Sequence, residues 1–204
     1  MHWADHTAQR LSEKYGSQVI ASGITPSGEF HIGHLREILT AEMIHRACLD
    51  AGEKSEYIFI VDSMDPLRRV YDFLSDDYEK YIGCPLAYIP SPNPDGTPNY
   101  EGESYAMHFL NPFLDALKQI GVNPVVVMNH ETYDKGLFAE KIDIAINRRE
   151  EIRNVIEEIS SRELPKEWYP YNPIGSDGSM DGLVITSYEK PYVYWIDRNG
   201  VSGK

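Results

Sequence analysis

The chain has 204 residues, room for one full domain or for one domain with a sizeable insertion. Lys and Arg number 19 against 32 Asp and Glu, and the formal net charge of −13 argues against holding nucleic acid by phosphate contacts alone. A hydrophobic share of 42% with 11% aromatics supports a packed core and argues against disorder.

No apolar run approaches the roughly 18–20 residues of a membrane span, and Met1–His6 lacks the basic flank and apolar stretch of a secretory signal. The two cysteines, Cys48 and Cys84, form no CxxC pair, so a soluble protein of the reducing cytoplasm is expected rather than a disulfide scaffold. Trp3, Ala8, Leu11 and Tyr15 recur near the helical repeat and predict a short amphipathic helix closed by Gly16. Val19–Gly23 is a short apolar strand entering the turn-rich loop Thr25-Pro26-Ser27-Gly28. From Gly33 the apolar positions Leu35, Leu39, Met43 and Ala47, flanked by Ile38, Ala41 and Ile44, predict a helix packed on a sheet and closed at Ala51-Gly52. Tyr57–Val61 is uninterruptedly apolar, as in a parallel strand buried on both faces. Strand, loop, helix and strand within residues 19–61 make a βαβ unit, so the fold class is α/β with a Rossmann-like parallel sheet.

Residues 1–73 are thus read as the first half of that sheet domain. Residues 74–124 are read as an inserted connective region, with an irregular Pro-rich stretch around Pro90–Asn99 and a helix from about Ser104 to Gln119. Residues 125–173 return to the sheet domain through a strand at Val125–Met128 and one long helix over Leu137–Arg162. The apolar side of that helix is Phe138, Ile142, Ala145, Ile152, Val155, Ile156 and Ile159. Residues 174–204 suggest a hairpin, Leu183–Tyr188 with Tyr192–Ile196, around Glu189-Lys190-Pro191.

Chemistry concentrates in Pro26-Ser27-Gly28-Glu29-Phe30-His31-Ile32-Gly33-His34, between the first strand and a helix. Adenylyl transfer builds negative charge on the α-phosphate, and imidazole donors fixed there stabilise the transition state more than the ground state. Gly33 removes a side chain beside the nucleotide, and the helix N-terminus adds a field favourable to phosphate. Isolated short motifs match by chance, and both histidines also suit a helix start. Their position at the C-terminal end of a buried strand, where open α/β sheets bind ligands, favours the site.

Ala21–Gly28 followed by His31-Ile32-Gly33-His34 resembles the nucleotide-binding signature of class I aminoacyl-tRNA synthetases (HUP-type), and more narrowly of the class I lysyl-tRNA synthetases. Further stretches carry the same likeness: His2–Asp5, Asp62–Arg68, Tyr81–Leu86, Ser104–Phe109, Arg148–Arg153 and Arg162–Pro165, together reaching about residue 173. The resemblance implies activation of lysine by ATP, with Mg2+ accompanying the nucleotide, and transfer from lysyl-adenylate to tRNA(Lys). It puts Pro26, His31, Gly33 and His34 at ATP, with His31 and His34 catalytic, and Gly23 and Thr25 near the amino acid. Asp62 and Asp65 are candidates for the lysine ammonium, because a desolvated cation needs an acidic partner. Asp65-Pro66 equally fits a helix N-cap followed by proline.

Asp177–Gly182 resembles the start of a calcium loop, but Tyr188 stands where a bidentate glutamate is needed, and a polar turn fits better. Many family members carry a cysteine pair near here that suggests zinc. Gly175-Ser176-Asp177 does not, so no zinc or other metal site is expected, and His108 is expected to be an ordinary helix residue. The lysine-rich Lys-Met-Ser-Lys-Ser type loop and the helical anticodon-binding region are missing from these residues. The expectation is therefore an N-terminal portion of a longer enzyme, weakly active or inactive alone, which meets tRNA mainly through other regions. Two alternatives stand beside it: an HxGH nucleotidylyltransferase acting on a small molecule, and a truncated nucleotide-binding module without catalysis.

Overall fold

The computed structural model describes every residue except Met1 and Tyr15, so the predicted end of the first helix at Tyr15 lies outside the described residues. The chain divides into two compact units.

The first unit comprises Met1–Asp65, Leu86–Pro92 and Asn99–His130. It opens with α1 (Trp3–Ser12), whose inward side is Ala4 and Ala8 while Trp3 is exposed. The sheet follows as β1 (Ser17–Ile24), α2 (Ile32–Asp50), β2 (Lys54–Val61), α3 (Tyr105–Gln119) and β5 (Val125–Met128), with the short strands β3 (Pro90–Pro92) and β4 (Pro98–Ser104) between β2 and α3. The order is β1-β2-β5 and all pairs are parallel, with Ile24 beside Val61 and Val61 beside Met128. Both crossovers step in the same direction, so a constant right-handed connection puts α2 and α3 on one face. Ile38 and Ala41 of α2 meet Leu110, Phe113 and Leu117 of α3 over Ile24, Tyr57, Phe59 and Val61.

Three expectations change here. The strand Tyr57–Val61 is covered fully on one face only; Ile58 and Ile60 point to the other and are half-buried. The segment 74–124 is not one insertion, because α3 and Val122 belong to the core of the sheet. The amphipathic pattern of α3 was legible, but only the parallel pairing of β5 with β2 makes it a crossover helix. Met43, placed on the apolar arc of α2, is likewise exposed.

The second unit comprises Pro66–Pro85, Asn93–Pro98 and Glu131–Lys204. The expected boundaries after residues 73, 124 and 173 therefore do not coincide with the breaks between units. Leu67, Leu74, Tyr78 and Cys84 are buried around a short 3-10 helix at Asp76–Tyr81. The predicted single helix over 137–162 is α5 (Ala139–Asn147) and α6 (Arg149–Ser160), preceded by α4 (Asn129–Asp134). Arg148 breaks the run at φ −105°, ψ 20°, although no glycine or proline marks the place. Val155 and Ile159, assigned to the apolar side, are exposed. The hairpin is observed as β6 (Val184–Glu189) and β7 (Tyr192–Ile196), and β8 (Ser202–Gly203) extends it to three antiparallel strands.

Gly83 sits at φ +88°, and a Cβ there would lie 2.2 Å from Ser179 Oγ. Its carbonyl accepts the Met180 amide at 2.8 Å. Gly83→Ala is expected to lower stability by about 1–2 kcal/mol for the left-handed backbone and about 1–3 kcal/mol for crowding, read as a lower urea midpoint.

Candidate active site

The loop after β1 delivers its histidines to the start of α2. His31 is the N-cap residue, and its Nδ1 accepts the Gly33 amide at 3.0 Å. His34 Nδ1 accepts the His31 amide at 3.0 Å, completing a reciprocal capping box of two imidazoles. The rings lie 4.0 Å apart between centroids. A neutral imidazole whose Nδ1 accepts a backbone N–H carries its proton on Nε2, so each ring keeps one N–H free to donate elsewhere. Capping and donation are thus two nitrogens of the same ring. A Cβ on Gly33 would lie 2.8 Å from His31 Cε1, so glycine here first makes room for the His31 ring.

The loop is anchored to the core on either side of the pair. Phe30 stacks on Phe113 at 4.3 Å and contacts His34 at 5.0 Å, and the buried Tyr105 hydroxyl donates to the Ser27 carbonyl at 2.8 Å. Pro26 is fully buried, so its ring packs within the loop rather than facing solvent.

Burial lowers the pKa of His34, the nearby His31 ring lowers it further, and Glu37 opposes both. The unfolded chain therefore binds more protons between that lowered value and the ordinary value near 6.5. Stability should rise with pH across this window and be lost as pH falls below about 6.5. His34→Gln keeps a capping-box acceptor that does not titrate, so urea unfolding at several pH values should show this increment in the parent and not in the variant.

A second group of side chains lines the same C-terminal edge. Thr25, Asp62 and Asn129 each follow the last residue of β1, β2 and β5, which are neighbours in register. Thr25 Oγ1 donates to Asp65 Oδ2 at 2.7 Å, and Asn129 Nδ2 donates to Asp62 Oδ1 at 2.9 Å. Asp62 Oδ2 and Asp65 Oδ1 have no hydrogen-bond partner among the described residues. No helix follows Asp65; Pro66 bridges to Pro85, so the N-cap alternative is not realised. Ser63 Oγ, fully buried, bonds His130 Nδ1 at 2.8 Å and accepts the His130 amide at 3.2 Å.

Gly23 lies on the free edge of β1, and its amide donates to Glu37 Oε1 at 3.1 Å. A cleft of about 480 Å3 runs along this edge against α2, lined by Ser22, Gly33, Arg36, Glu37 and Thr40 among others. That volume lies within the range of small-molecule sites.

The family described as tRNA synthetases class I (K) matches residues 1–204. The chain belongs to this family. A lysine–tRNA ligase of Archaeoglobus fulgidus is 42% identical over 207 residues, covering 100% of this chain and 40% of that protein. One from Picrophilus torridus is 39% identical over 205 residues, covering 100% and 39%. One from Methanocaldococcus jannaschii is 45% identical over 176 residues, covering 84% and 32%. The chain therefore spans about two fifths, or less, of the length of these curated relatives.

Within this class I chain, Phe30 and Tyr105 fall in stretches that the sequence singles out but gives no anchoring role, whereas Glu37, Asn129 and His130 are not marked by any motif. Asn129 carried a usable signal: it directly follows an apolar strand, as Asp62 does. In the second unit the Asp177 turn is held by its own polar groups. Asp177 accepts the Ser179 amide at 3.0 Å and Arg198 Nε at 2.8 Å. Asp197 accepts the Asn199 and Val201 amides at 2.9 Å each and bonds the Ser176 hydroxyl. His108, half-buried on α3, packs edge-on to Phe109 at 4.9 Å. No described helix is long and apolar enough to cross a membrane.

Proposed function

We propose that this chain supplies the nucleotide and amino-acid sites of a lysine–tRNA ligase, which activates lysine with ATP and passes the lysyl group to tRNA(Lys). The observation that carries the reading is the pair His31 and His34, each with Nδ1 tied to backbone and Nε2–H free, on the sheet edge that also bears Asp62 and Asp65.

In this reading ATP enters as its Mg2+ complex and lies against Gly33 and the cleft beside β1. A lysine carboxylate oxygen attacks the α-phosphorus, the bond to the bridging oxygen breaks, and pyrophosphate leaves with that electron pair. The Nε2–H groups of His31 and His34 donate to the phosphate oxygens on which charge accumulates. Asp62 presents its unpartnered oxygen to the lysine ammonium, while Asp65 holds the Thr25 hydroxyl. Gly23 and Thr25 line the amino acid. The formal charge of −13 leaves these residues little cationic surface, so we assign the grip on tRNA mainly to sequence outside them. Two unpaired cysteines, both buried, fit a cytoplasmic setting.

The test is amino-acid-dependent exchange of pyrophosphate into ATP by the protein of the complete reading frame. Exchange driven by lysine is expected. Exchange driven by another amino acid and not by lysine overturns the substrate assignment.

A further inference from the structure

Resting on the lysine reading, we propose that Asn129 is a positioning residue that orients Asp62 toward the side-chain ammonium of the substrate. A carboxylate can only accept, so the hydrogen bond at 2.9 Å must come from the Asn129 amide nitrogen. It engages Oδ1 and leaves Oδ2 without a hydrogen-bond partner among the described residues. The backbone at both ends is held. Asp62 N–H donates to the Ile24 carbonyl at 2.9 Å, and Met128, just before Asn129, pairs with Val61, just before Asp62. The neighbouring Ser63–His130 pair repeats the link one residue further on and ties the turn after β2 to the start of α4. With the main chain set at both ends, the remaining freedom of the Asp62 carboxylate is rotation of its side chain. The Asn129 amide selects one rotamer. Asp62 is half-buried, so water replaces a lost partner poorly.

Asn129→Leu keeps the approximate volume and removes the donor. Asn129→Asp keeps shape and polarity but faces Asp62 with a second anion. In lysine-dependent exchange by the complete protein, both are expected to raise KM for lysine by about tenfold or more, with KM for ATP within about twofold of the parent. Discrimination of lysine against norleucine, which lacks the side-chain ammonium, should fall with it. Asn129→Gln retains a donor and should recover part of the affinity. If Asn129→Leu does not fold, the Asp variant decides. A parent active with lysine whose variants keep the parental lysine KM, or lose ATP and lysine affinity alike, overturns the proposal alone. A complete protein without lysine-dependent exchange overturns the reading beneath it and this proposal together.

Discussion

Replacing His31 or His34 by alanine should cost about 10²–10³ in kcat for adenylate formation, the usual consequence of losing one donor to a developing oxyanion. Each ring also caps α2, so alanine should in addition lower stability by about 1 kcal/mol. The two effects separate in a second variant. Serine at position 31 restores an N-cap acceptor but has no group reaching where Nε2 lies, so His31→Ser should regain stability and remain impaired in exchange. A Ser variant that recovers both would reduce the pair to a helix cap. Because each cap joins one ring to the backbone beside the other, the stability costs of His31→Ala and His34→Ala should not add. Double-mutant unfolding measures that coupling.

Asp62→Asn should raise KM for lysine at little cost in KM for ATP. Removing one partner of a desolvated charge pair is worth about 2–5 kcal/mol, at least roughly 30-fold in affinity. Asp65→Asn should do much less, because its observed contact is with the Thr25 hydroxyl at 2.7 Å. Thr25→Val removes the donor from that contact and should resemble Asp65→Asn in its effect on lysine KM. Steady-state exchange kinetics over both substrates decide the assignment. A larger effect at Asp65 than at Asp62 would exchange the two roles.

Much of this layout was legible before the structure. The apolar run of β2, the helical spacing from Leu35 to Ala47 and the turn residues between Gly23 and Gly28 declare a βαβ unit through local propensity alone. Placing His31 and His34 at its C-terminal edge followed from their position between strand and helix, and the rule that ligands meet parallel sheets there made that edge the candidate site. Less was legible where long-range contacts decide. Asp65-Pro66 has the composition of a helix start, yet the Pro66–Pro85 bridge takes that backbone elsewhere. The periodicity of 137–162 runs through Arg148 without a breaker, and the helix nevertheless stops and restarts there. The partners of Asp62 and Thr25 lie 67 and 40 residues away in the chain, beyond the reach of any spacing argument.

In this acidic chain of 204 residues, local sequence determined the βαβ unit and the histidine pair, because hydrophobic period, turn chemistry and the HxGH spacing act over a few residues. The tertiary structure decided that α3 completes the sheet's core, that the two imidazoles cap α2 through Nδ1, and which oxygens of Asp62 and Asp65 stay free. Those outcomes depend on strand register, which brings the ends of β1, β2 and β5 side by side. Register is set by packing across the whole sheet, which no short window of sequence contains.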